Sequence, residues 1–346
     1  MPSSPSQAQG SQGERSSRIA CFEWARALGC VSIVALHVYV MLWEDVGRAS
    51  FGFVRAFVEG SLSIVLGRWA VPVFLMVTGA LLLNPLKDVD ASRIRRYVVR
   101  MLGVLATFGF AFCLMEAVFN YGTFSLAVLG EALLKLLTAQ SWGHLWYVYA
   151  LLGLYILTPV LRKMLARLDQ RGLAGVLAFL YVAVLGTNTV LCAMGRPPEL
   201  RVLLLPATFY YLLGWYAWSY LRFDACTVGM GILSLVAMLT CQALGHGEYA
   251  LPQYCLVAPY GVLVFVALRR FATRPVEDYP LVALLADYSF GIYLVHPFFL
   301  HALALTLDPL AFPPGVYELL AFVVALLGSV LSVALLRRLP VIKDLV

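Results

Sequence analysis

Arg26 and His37 stand eleven residues apart, three helical turns. At about 100° per residue this places them within roughly 20° of each other on one helix face, about 16 Å apart along the axis. An arginine holds phosphate oxygens in a bidentate fork, and a histidine with a reference pKa of about 6.5 takes or gives a proton near neutrality. Glu23, three residues before Arg26, is spaced for an i,i+3 ion pair. Ser289, Tyr293 and His296 follow an i, i+4, i+7 spacing and share a polar stripe, with Asp287 turned to the opposite side. Arg68 and Glu116 lie at depths that allow them to pair, and Arg93, Arg95, Arg96 and Arg100 form a basic run. Each group has a plainer alternative: snorkelling for Arg26, interhelical hydrogen bonding for His37 and the stripe, a structural ion pair for Arg68 and Glu116, and topology for the basic run.

The elements that must carry these residues are membrane helices. Of 346 residues, 62% are hydrophobic and 13% charged, against about 25% charged in soluble domains, and the mean hydropathy is +0.85. Apolar runs near 20–43, 60–83, 98–119, 145–161, 173–194, 202–221, 226–245, 250–269, 281–304 and 316–336 predict an all-α polytopic bundle of about ten spans. The stretch 124–138, broken by Glu131 and Lys135, is expected to lie at the interface or re-enter. Arg26 and Arg68 aside, 18 of the 25 Lys and Arg fall on one side of this topology and 5 on the other, which predicts cytoplasmic termini. Residues 1–17 read as a disordered cytoplasmic tail, 18–340 as one membrane domain and 341–346 as a short cytoplasmic tail.

The net charge of +6 sits in loop clusters, so a lipid bilayer and not nucleic acid is the expected neighbour. Seven cysteines are scattered singly with no CxxC and no histidine at metal-ligand spacing, so no metal is expected. Intramembrane charge and a polar stripe also suit a glycolipid or small-molecule transporter or flippase.

The segment EWARALGCVSIVALH at 23–37 carries Glu, Arg and His at the spacing of a first-span signature. It is followed by RWAVPVFLMVTGALL at 68–82, RIRR at 93–96, GHLWYVYALLGLYILTPVL at 143–161, FYYLLGW at 209–215 and YSFGIYLVHP at 288–297. In this order the segments resemble the acyltransferase 3 family of bacterial inner-membrane proteins over nearly all of residues 20–336. Thr78 stands where Ser is commoner in that family. The resemblance points to Arg26, His37, Arg93 and Arg96, and more weakly to Arg68, His144, Trp146, Ser289, Tyr293 and His296.

What the resemblance implies is an O-acyltransferase. It would move an acyl group, usually acetyl, from cytoplasmic acetyl-CoA to a hydroxyl of a glycan or lipid-linked sugar, as in stand-alone surface-polysaccharide O-acetyltransferases. On that expectation His37 is the base with Arg26 beneath it, and Arg93 and Arg96 hold the donor phosphates. Glu23, Arg68, Glu116, His144, Trp146, Ser289, Tyr293 and His296 are cavity candidates. The chain ends soon after its last expected span, so a periplasmic step would need a separate partner or direct delivery.

Overall fold

The computed structural model describes residues 19–46, 52–140, 142–197, 203–313 and 315–346, with side chains of the first segment described to Met41. The expected tail at 1–17 lies outside the described residues, as do Arg48 and Arg201 of the loop cations. Among the described residues 80% are helical and none is in a strand. The described residues form fourteen α-helices, in order α1 (Ala20–Val46), α2 (Phe53–Gly67), α3 (Ala70–Leu82), α4 (Ala91–Val104), α5 (Phe110–Tyr121), α6 (Leu126–Leu137), α7 (Trp146–Leu165), α8 (Gln170–Leu180), α9 (Thr187–Ala193), α10 (Leu204–Ser219), α11 (Ala225–Ala243), α12 (Val257–Phe271), α13 (Pro280–Thr306) and α14 (Val316–Leu336). Wide turns at Leu105–Gly109 and Tyr181–Gly186 join α4 to α5 and α8 to α9 without interrupting the rod.

Eight stretches among the described residues are long and apolar enough to cross a bilayer, against the ten expected. The sixth and eighth expected spans fold as α10 and α12, of only 16 and 15 residues, or about 24 Å and 22 Å of helix where a bilayer core is about 30 Å thick. Both are built into the interior. Gly79 of α3 and Gly214 of α10 let two backbones touch: an added Cβ would lie 1.8 Å from the Tyr211 carbonyl oxygen and 2.0 Å from that of Met76.

The expected second span is two helices. Pro72 has no N–H to offer the carbonyl four residues before it, and the helix breaks at Arg68–Trp69. Residues 126–137 form the short α6, which turns back along α5 and is not among the stretches fit to span.

One end of the bundle is tied together by cations on carbonyl groups. Arg162 donates to Leu82, Asn84 and Lys87 at 2.7–2.9 Å, and Arg269 donates to Ala217 and Trp218 at 2.9 and 2.5 Å. At the same end Trp24 donates to the Arg274 carbonyl and Arg100 to that of Leu345. Residues that the charge count assigned to one side therefore meet at one face, termed here the basic end. The C-termini of α3, α7, α10, α12 and α14 and the N-termini of α1, α4 and α13 gather there.

Candidate functional site

Helices α1 and α13 pack along each other and bring the two sequence constellations together. On α1, the Arg26 guanidinium binds Glu23 at 2.6 Å, as the spacing predicts. One face higher, His37 Nδ1 lies 2.9 Å from the Ile33 carbonyl. On α13, Ser289 donates to the Ala286 carbonyl, and His296 Nδ1 lies 3.0 Å from that of Ile292. The His37 and His296 rings are 4.8 Å apart between centroids.

His144, in the turn before α7, completes the cluster, its ring 6.1 Å from His296 and 5.7 Å from Tyr293. The Tyr293 hydroxyl donates to the His144 carbonyl. Pro297 follows Tyr293 by four residues inside α13 and cannot donate to its carbonyl, which loosens the helix backbone beside the rings.

A carbonyl only accepts, so the Nδ1 atoms of His37 and His296 carry the protons and each Nε2 keeps its lone pair. The Nε2 atoms of His296 and His144 are buried with no hydrogen-bond partner. Acceptors converge here without donors to satisfy them, an arrangement suited to a guest that brings a proton, such as a hydroxyl.

A cavity of about 510 Å³ runs from the basic end toward this cluster. Arg26, Lys87, Arg100 and Asp287 line its mouth, and Ile33, Tyr147 and Tyr293 line it one helical turn from the histidines. Its two acids are already neutralised, Glu23 by Arg26 and Asp287 by Arg337. Lys87 and Arg100 have no carboxylate at ion-pair distance among the described residues, and the mouth is net positive. Burial first, then the Arg93 and Arg26 charges, push the Lys87 amine below its ordinary value, a crowding that a bound polyanion relieves. The Arg100 guanidinium sits over the Phe290 ring at 5.1 Å, which fixes it at the wall.

The structure distributes the remaining sequence candidates as follows. Arg93 anchors the start of α4, its guanidinium on the Asp88 carbonyl at 2.8 Å, and Arg96 is exposed; neither lines the cavity. Trp146 opens α7 half-buried, and its neighbour Tyr147 takes the cavity position. The expected ion pair of Arg68 with Glu116 is not formed. Because α6 folds back on α5, Glu116 binds Lys135 at 3.0 Å, which also lies 3.5 Å from Glu131. Arg68 stands at the break between α2 and α3. Asp287, expected on the far side of its helix, lines the cavity mouth itself and pairs with Arg337.

Lys87, Arg100, Tyr147 and Thr78 are cavity residues that the spacing arguments passed over. Arg100 carried a signal, since it falls at the start of the apolar run from 98 and sits seven residues, two turns, after Arg93.

A family model described as an acyltransferase domain matches residues 19–336. The chain belongs to the acyltransferase 3 family. No curated protein and no solved structure matches it. In this multi-pass membrane acyltransferase, α1 carries Arg26 at the cavity mouth and His37 in the histidine cluster, and α13 likewise lines the cavity and carries His296.

Proposed function

We propose that this acyltransferase is an O-acetyltransferase of the bacterial inner membrane, taking acetyl from cytoplasmic acetyl-CoA and passing it to a hydroxyl of a cell-surface glycan or lipid-linked sugar. The observation that carries the reading is the cavity itself, net positive at the basic end and ending one turn from His37. With the termini cytoplasmic, the nucleotide of the donor stays at Lys87, Arg100 and Arg26, with Arg93 and Arg96 outside as a first electrostatic contact. The thin pantetheine arm extends up the cavity, a distance of about 16 Å from Arg26 to His37.

There the acceptor hydroxyl gives its proton to His37 Nε2 while its oxygen attacks the thioester carbonyl. The tetrahedral intermediate collapses by breaking the C–S bond, and the imidazolium returns the proton to the leaving thiolate, leaving an ester and free CoA thiol. His296 and His144 supply further acceptors for the incoming hydroxyl. Transfer finishes at the outer side directly or through a separate periplasmic partner.

The test is release of labelled acetyl from acetyl-CoA by the purified protein with candidate sugar acceptors. Acceptor-dependent thiol release supports the reading. A transporter or flippase binds its cargo and releases no thiol with any acceptor.

A further inference from the structure

The cavity that opens at the basic end stops where four helices meet. Its deepest lining residues are Ile33 of α1, Phe74 of α3, Tyr147 of α7 and Tyr293 of α13, each the one furthest from the basic end on its own helix. Ile33, Tyr147 and Tyr293 are buried, and Phe74 is half-buried. Three rings and one branched chain thus form a largely apolar collar between the donor cavity and the histidines.

The members of the collar are held in place. Phe74 reaches from α3 across to α1: a Cβ added at Gly29 would lie 2.9 Å from its Cζ, so the tip of the ring rests against the α1 backbone. The Tyr147 and Tyr293 rings meet edge to face at 5.4 Å, and the Tyr293 hydroxyl donates to the His144 carbonyl. His37 follows Ile33 by one turn, its Nδ1 2.9 Å from the Ile33 carbonyl. Past the collar the His296 ring lies 4.8 Å from that of His37 and 6.1 Å from that of His144, so an alkyl chain pushed through would have to part packed rings.

We infer that this collar sets the length of the transferred acyl group, with Phe74 as the principal determinant: it seats the methyl group of an acetyl thioester presented to His37 and rejects chains two carbons longer. The inference rests on the acyl-CoA reading above and adds which part of the donor is selected. With the pantetheine arm in the cavity, a thioester carbonyl beside His37 has its alkyl end within the collar. Each further methylene must displace a ring already packed against a neighbouring helix, and one methylene too many in such a wall discriminates by about 10–200-fold. The nucleotide contacts at the mouth are the same for every acyl-CoA, so the discrimination falls on transfer and not on donor affinity.

The test compares acetyl-CoA with butyryl-CoA on membranes that hold the full-length protein and its own acceptor. It reads thiol release above that of membranes lacking the chain, with the affinity for each thioester measured on purified protein. Wild type is expected to transfer acetyl about tenfold or more faster than butyryl while binding the two thioesters about equally. Phe74→Ala brings the rate ratio near one by raising butyryl transfer. Ile33→Ala opens the collar from α1 and leaves the backbone carbonyl beneath His37 in place, and it moves the ratio the same way even where the Phe74 variant fails to fold. Equal wild-type rates overturn the inference and leave the acyl-CoA reading standing, as does an acetyl preference that survives undiminished in folded Phe74→Ala and Ile33→Ala. No thiol release from either thioester refutes the acyl-CoA reading and the inference with it.

Discussion

The α1–α13 seam and the α5–α6 pair both hold ionisable side chains at membrane depth, yet they leave those groups in opposite states. Between α5 and α6, Lys135 meets Glu116 at 3.0 Å and Glu131 at 3.5 Å, and the charges are answered on the spot. Along α1 and α13 the ion pairs answer Glu23 with Arg26 and Asp287 with Arg337, while Lys87 and Arg100 beside the seam keep their charge toward a cavity and His144 and His296 keep unsatisfied Nε2 atoms. An ionisable residue in a membrane protein is costly in either place. What separates a structural one from a working one is whether its bonding capacity is already filled.

The sharpest way to break this contrast is to remove the surplus charge. Lys87→Gln combined with Arg100→Gln is expected to weaken acetyl-CoA binding by about 10²-fold or more, since two charge-assisted contacts are lost, with the fold retained. Isothermal titration of the double variant checks it, and native affinity would make the seam no different from α5–α6.

His296→Ala comes next. It should slow acyl transfer by roughly tenfold and leave donor affinity close to wild type, because an acceptor is lost beside the base and not the base itself. A smaller effect comes from pH. The Lys87 amine is held below the usual lysine value by burial and by Arg93 and Arg26, so its charge is lost as pH rises through that lowered value. Donor affinity should therefore fall on the alkaline side earlier than an ordinary lysine would allow, and Lys87→Arg should abolish that early fall. The smallest effect belongs to the other region: Glu116→Gln is expected to cost under about 1 kcal/mol in thermal unfolding and nothing in transfer, as for a half-exposed pair.

Much of the seam was legible because helical spacing is rigid. The eleven-residue separation of Arg26 and His37 and the i, i+4, i+7 stripe of Ser289, Tyr293 and His296 are properties of single helices, and each survives in the bundle. What the spacing does not contain is which helix meets which. Glu116 found Lys135 because a short helix folded back, and Asp287 found Arg337 across to the end of α14. Lys87 and Arg100 obey the topology rule and line the cavity as well, so the charge count hid their second role. The break at Arg68 had a local signal in Pro72, whereas the shortness of α10 and α12 depends on burial against α3 and other helices that no hydropathy window registers.

The central claim is that the donor enters by the positive mouth and is used at His37, and the most direct test separates binding from chemistry in one variant. Single-turnover transfer from labelled acetyl-CoA, with donor affinity measured on the same folded sample of His37→Ala, should show near-native affinity and a transfer rate lower by about 10²-fold or more. Transfer at the wild-type rate in that sample would contradict the account and move the base to His296.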